Sequence, residues 1–282
     1  MKHDPVAHLT ARHPAVVKLG RAGWFAKGIV YVLAGGLALL VVGSSFGWSD
    51  APVGSKEASP TGAIKEVAQT SGGPLLLIAL AVGMFLYAVW RLATALLPGS
   101  TDAEGVATRI GYGASAIMYA TFGVTSLSLA RSRSANADGN ATVTDITSRV
   151  MQHTAGRLLI GIVGVAVIGA GLYRISKGAK SEVTDDVDMS GMSAGRRRWT
   201  RRLGAVGEVG RGIAMGLIGF FLVRAAISFK VGEATGLDGA LRRLALQSWG
   251  VVVVAAVGVG LIAYGIFCLA TFTRRQLQGP QP

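Results

Sequence analysis

GEVGRGIAMG, residues 207–216, places Glu208 and Arg211 among glycines at the mouth of a long apolar run. Read as a nucleotide-binding loop, it needs a strand before the glycines and an acidic residue about 20 positions later. It has neither context. Read as the start of a transmembrane helix, it is a span that carries an ion pair. Composition favours the second reading: 51% of the 282 residues are hydrophobic and 15% charged, where soluble domains carry about 25% charged residues. The mean hydropathy is +0.48. A hydrocarbon core roughly 30 Å thick takes about 20 mostly apolar residues per helix. Six stretches meet or approach that length, at 24–43, 73–97, 110–130, 156–175, 204–227 and 249–273.

The quoted stretch has two counterparts. GWFAKGIVYVLAGG from Gly23, GYGASAIMYATFGV from Gly111 and GEVGRGIAMGLIGF from Gly207 align without gaps, with glycine again at Gly35, Gly123 and Gly219. Tyr31, Tyr119 and Met215 correspond, as do Gly28, Ala116 and Gly212. The even-numbered spans repeat too. GAIKEVAQTSGGPLLL from Gly62, DITSRVMQHTAGRLLI from Asp145 and GALRRLALQSWGVVVV from Gly239 each reach a glycine at the span entry, Gly73, Gly156 and Gly250. In the same register Trp90-Arg91, Tyr173-Arg174 and Phe267-Cys268 coincide. The repeating unit is therefore a span, an extramembrane amphipathic segment and a second span. Two spans per unit return the chain to the same side, so the copies are parallel, unlike the inverted repeats of many transporters. The predicted fold is all-α: a polytopic membrane protein of six transmembrane helices in three parallel two-helix repeats, with a pseudo-threefold arrangement. Its divisions are a polar leader (1–18), repeats at 19–97, 98–180 and 202–275, a charged cytoplasmic linker (181–201) and a C-terminal tail (276–282).

These repeated segments, with GALRRLALQSWG and the helix ends WR and YR, resemble the bacterial integral membrane family known as domain of unknown function 1206. The resemblance implies paired transmembrane helices in three tandem units and covers most of residues 19–275. It implies no reaction, ligand or catalytic residue. Met215 and Cys268 depart from the other copies, which weakens any strictly threefold site.

Lys and Arg flanking the spans tend to stay cytoplasmic. With a cytoplasmic N-terminus the cytoplasmic segments hold 16 of them against 10 opposite, much of the excess lying in RRRWTRR at 196–202. The expectation is a multi-pass plasma-membrane protein with both termini inside. The leader shows no small-residue cleavage site, so the first helix is expected to remain as an anchor. Arg196, Arg197, Arg198, Arg201 and Arg202 read as a topology determinant and a contact for anionic headgroups; one short basic run with Trp199 is weak ground for nucleic-acid binding. The acidic stretch EVTDDVD at 182–188 reads as part of a solvated, flexible loop. The segments at 61–72, 144–155 and 238–249 read as interfacial helices that lie on lipid or cap the bundle, with Ala240, Leu241, Leu244 and Leu246 on one face.

Within the spans, Glu208 and Arg211 are three residues apart and so neighbours on one helix surface, an intramembrane ion pair. Lys27, Ser115 and Arg211 share one repeat position. The two cations either snorkel to the headgroups or converge as a contact for lipid or another anion, with Lys27 the freer of the two. Gly23, Gly35, Gly111, Gly123, Gly207 and Gly219 are expected at helix contacts, since small residues let backbones approach where lipid removes the hydrophobic drive. His3, His8, His13 and His153 form no metal pattern, and the single Cys268 allows no disulfide within one chain. No catalytic residue, metal or cofactor is predicted. The expectation is a non-enzymatic structural or accessory subunit that contacts anionic membrane lipid and a membrane-protein partner, without nucleic acid; the alternative is a passive channel or transporter with a basic site on the odd-numbered helices.

Overall fold

The computed structural model describes residues 14–45, 59–69, 71–96, 103–131, 147–151, 154–184, 187–228, 235–247 and 249–274. Six helices are long and apolar enough to span a bilayer: α1 (Pro14–Ser45), α3 (Gly73–Leu96), α4 (Ala103–Arg131), α5 (Thr154–Ala179), α6 (Ala194–Ser228) and α8 (Gly250–Thr271). Two shorter ones, α2 (Pro60–Ala68) and α7 (Leu237–Ala245), precede α3 and α8, and residues 147–151 form the corresponding helical turn before α5. The protein is an all-α, multi-pass membrane protein. Proline stands in the first turn of α1, α2 and α3 (Pro14, Pro60, Pro74), where its missing N–H is not needed.

The entry glycine of each repeat has a steric cause. A β-carbon on Gly73, Gly156 or Gly250 would collide with the carbonyl oxygen of Val67, Val150 or Leu244, three equivalent residues in the short helical segments. Only glycine lets the chain turn so tightly from the amphipathic segment into the span. These segments cap the bundle instead of lying on lipid: Ile64, Leu241 and Leu244 are buried in the main core. Leu246 lies beyond the end of α7 and is exposed, outside the buried face that Ala240, Leu241 and Leu244 form.

The spans are neighbours in the order α5, α6, α8, α1, α3, α4. Three equivalent joints link one copy to another: α3 with α4, α5 with α6, and α8 back to α1. In each, a glycine of the odd helix meets the same position of the even one. A β-carbon on Gly35 would lie 2.8 Å from Ile262 Cγ1, on Gly219 2.8 Å from Ile168 Cγ1, and on Gly123 3.0 Å from the Phe85 ring. Gly35 and Gly219 also press on backbone oxygens, those of Gly258 and Gly164.

The joints within a copy are less uniform. In copies one and three the odd helix lies against a tyrosine: a β-carbon on Gly23 would come 2.5 Å from Tyr87 Cβ, and on Gly207 2.6 Å from Tyr264 Cα. In copy two the tyrosine position is Ala170, exposed, and Gly111 has nothing within 4 Å of an added β-carbon. Among the described residues α4 and α5 make no substantial contact, so the ring of helices is open at this one seam. Gly111 is therefore no packing glycine, because no facing helix comes within reach of it.

The charged linker is also more ordered than expected. Helix α6 begins at Ala194 and takes in the whole arginine run. Val183, Val187 and Met192 are buried, and Asp188 N–H donates to Arg274 O at 2.9 Å. Arg274 Nη1 returns to Ser190 O at 2.8 Å. Hydrogen bonds from Ser190 hold the Asp188 carboxyl below its ordinary pKa.

Leucine at Gly35 or Gly219 must force two backbones apart and is expected to cost about 1–3 kcal/mol, the usual range for overpacking. At Gly123 a flexible ring can yield and the loss is smaller; at Gly111 the change is near neutral. Thermal unfolding of the four Gly→Leu variants in one detergent tests this order, and a Gly111 variant as unstable as Gly35→Leu contradicts the open seam.

Candidate functional site

The buried charges gather where α1, α3, α4, α6 and α8 meet, in the half of the bundle nearer the N-terminus of α1. Lys27 lies about 9 Å inside the Arg21 end of its span at 1.5 Å per residue. It is 2% exposed, which excludes snorkelling and a direct headgroup contact. Its Nζ stands 4.5 Å from the Trp24 ring centroid, 5.2 Å from Tyr264, 5.3 Å from Tyr87, 5.4 Å from Tyr119 and 5.9 Å from Tyr31. Five rings from five positions turn toward one ammonium. Each cation–π contact is worth about 0.5–2 kcal/mol, more when desolvated.

Arg211 is buried beside it, its guanidinium 4.1 Å from the Tyr264 centroid and 5.3 Å from Tyr31. The two cations thus share two rings, and those rings meet edge to face at 5.0 Å. Helix α4 contributes Tyr119, 4.7 Å from Tyr87 in the same geometry. Tyr119 is 3% exposed, and among the described residues its hydroxyl finds no hydrogen-bond partner.

Glu208 answers the question posed by GEVGRG. Its Oε1 accepts from Arg211 Nη1 at 3.0 Å, as the three-residue spacing predicts. Its Oε2 accepts from Arg174 Nη1 of α5 at 2.8 Å, a contact that spacing along one helix cannot reveal. The carboxylate therefore staples α5 to α6 as well as neutralising its own helix.

The repeat alignment explains why it is there. Glu208 is equivalent to Tyr112 and Trp24, and Arg174 to Arg91 and Cys268. The same joint is built three times with different chemistry. Between α5 and α6 it is the ion pair. Between α3 and α4 the Arg91 guanidinium lies 4.7 Å over Tyr112 and Arg91 Nη2 donates to Tyr87 Oη at 2.8 Å. Between α8 and α1 the equivalent positions, Cys268 and Trp24, carry no charge, and Trp24 Nε1 donates to Thr271 Oγ1 at 3.3 Å.

Ser115 does not join the cluster by any described contact; its hydroxyl donates to Gly111 O on its own helix at 2.8 Å. The convergence is thus of Lys27 and Arg211 around tyrosines, not of the three aligned positions. Tyr31 and Tyr119 are legible as aligned aromatics, and Trp24 stands three residues from Lys27 on the same helix surface, but Tyr87 and Tyr264 carry no signal that they would face a lysine. Arg196, Arg197, Arg198, Arg201 and Arg202 lie elsewhere, exposed on the opening turns of α6, and four of them line a cleft of about 460 Å³. His3, His8, His13 and His153 lie outside the described residues.

Removing one partner of a buried ion pair costs about 3–5 kcal/mol because a charge is left stranded. Glu208→Gln strands two arginines, so it is expected to destabilise more than Arg174→Gln. Adding Arg211→Met to Glu208→Gln should restore part of the loss. A double-mutant cycle read by thermal unfolding checks the coupling; strictly additive effects contradict it.

The family model described as Domain of Unknown Function (DUF1206) matches the chain three times, over residues 22–97, 110–181 and 206–271. The chain is also similar to the uncharacterized protein YxxB of Bacillus subtilis (strain 168), 27% identical over 259 residues that cover 91% of this chain and 90% of the relative. No solved structure matches it. With three tandem matches, each taking in two of the six spans, the chain belongs to the DUF1206 family.

Proposed function

We propose that the protein is a non-enzymatic structural or accessory subunit of the bacterial plasma membrane, contacting anionic lipid and stabilising a membrane-protein partner. The observation that carries this reading is the use made of the buried charges. Glu208 is bound by two arginines and Lys27 is enclosed by five rings, so the charged residues serve to hold helices together. Aromatic side chains pack around Lys27 and Arg211. The outward faces are the other half of the argument. Only 28% and 17% of the apolar stretches of α4 and α5 are buried inside the chain, against 56% for α1 and α8, and α4 and α5 flank the open seam. That side is the natural place for a partner helix.

A stoichiometric protein retained through purification in mild detergent, and lost when Ala114→Trp or Ala170→Trp crowds the exposed seam, is the expected result. Retention undiminished by both substitutions places the partner elsewhere, and a protein recovered only by itself from several detergents contradicts the accessory role.

One observation favours the second reading, a passive anion channel or transporter. The buried Tyr119 hydroxyl is a donor with no described partner, and its ring faces Lys27. Anion flux into liposomes that falls on Tyr119→Phe would favour conduction over the accessory role; absent flux in wild type removes that alternative.

The orientation proposed with this function puts both termini and the arginine run in the cytoplasm, following the bias of basic residues. In a Cys268→Ala background, Ser55→Cys, Asn136→Cys and Glu233→Cys are expected to react with an impermeant thiol reagent on intact cells, and Ser193→Cys only after permeabilisation. The opposite pattern reverses the topology.

A further inference from the structure

Helix α6 opens against the rules of helix electrostatics. Its first nine residues, from Ala194, contain five arginines and no acid in the first turn. A helix N-terminus carries unpaired N–H groups and the positive end of the macrodipole, so cations there are unfavourable. Arg197 with Arg201, and Arg198 with Arg202, are like-charge pairs four residues apart, unfavourable again. A topology signal needs the charges only somewhere in the loop. Here they stand in a continuous helix that they destabilise, and departures of this kind concentrate at functional sites.

The side chains also line an open surface recess. Arg197, Arg198, Arg201 and Arg202 line the cleft of about 460 Å³ with Ser181, Ala194 and Ala205, and no acidic side chain is among the described residues that line it. Its wall does not swing freely. Ser181 N–H donates to Gly178 O at 3.0 Å, and the segment after it is pinned to the end of α8 through Asp188, Ser190 and Arg274. Ser193 Oγ accepts the Arg196 N–H at 3.4 Å, which starts the helix in place. Trp199 is 65% exposed on the same turns, as expected of a ring at the membrane–water interface.

We propose that this cleft binds the phosphate headgroup of an anionic membrane lipid. The inference rests on the lipid-contacting part of the function proposed above and names its site. Guanidinium groups match phosphate oxygens in bidentate pairs, and a phosphate there relieves both the dipole conflict and the repulsion between arginines. A soluble diphosphate offers the same chemistry, so the experiment separates the two sources.

Full-length protein is reconstituted in nanodiscs of phosphatidylcholine with phosphatidylglycerol or cardiolipin, extracted gently and weighed intact by native mass spectrometry. Wild type is expected to retain the anionic lipid preferentially. Arg197→Gln with Arg201→Gln, and Arg198→Gln with Arg202→Gln, should each lower retention, by about fivefold per arginine removed. Arg131→Gln, exposed at the other end of the bundle, should leave it unchanged. Lysine replacements at the paired positions keep the charge but lose the fork geometry, and should restore retention only in part. In lipid-free detergent the glutamine variants should unfold at the same temperature as wild type or higher, since repulsion is relieved; a purely structural role would lower it. Retention unchanged in both double variants overturns the site. So does protection of wild type by inorganic diphosphate that anionic lipid fails to reproduce, which would assign the cleft to a soluble phosphate. Neither outcome bears on the protein partner, which is read separately by co-purification.

Discussion

Cations buried in hydrocarbon must be compensated from within the protein, because the bilayer core supplies neither water nor mobile counter-ions. The rest of this bundle is arranged around that constraint. Arg211 and Lys27 enter the core from different copies, and they are met by one carboxylate and by rings from α1, α3, α4 and α8. Because Tyr87, Tyr119 and Tyr264 reach Lys27 from three other helices, and Glu208 also binds Arg174 of α5, compensating the charges also fixes how the helices stand against one another. Glu208 is the clearest case: by binding Arg174 as well as Arg211 it joins α5, otherwise the most exposed span, to the bundle.

Glycine makes this possible at short range. At Gly35, Gly219, Gly23 and Gly207 the facing helix comes so near that no β-carbon fits, and it is this approach that brings the rings of Tyr87 and Tyr264 onto the cations. In copy two, where Ala170 stands at the tyrosine position, the described helices make no such approach and the seam is open. The repeats therefore share a backbone plan while one of them has a different surface. At three equivalent positions the joints between copies carry an ion pair, a stacked arginine and an indole N–H bonded to a threonine hydroxyl.

How much of this could be read beforehand differs from element to element. The six spans were legible because a hydrocarbon core imposes a length and an apolar composition that few other structures satisfy. The pairing of Glu208 with Arg211 was legible because it is local to one helix. Arg174 was not, since 34 residues separate it from Glu208 and no helical period connects them. Lys27 is a related case: its position near a helix end leaves snorkelling and convergence both open, and only the meeting of four other helices encloses it. The linker looked solvated from its charges, yet three of its apolar side chains are buried; scattered hydrophobes in a polar stretch carry no periodicity to expose them.

The sequence by itself determined the class of protein, the number of spans, their grouping into three parallel units and the corner glycines, all of which follow from local composition and from self-similarity along the chain. Tertiary structure alone decided which copies close on each other, where the seam lies and which rings surround Lys27. Those depend on approach distances between helices remote in sequence, which no local composition or periodicity along the chain records.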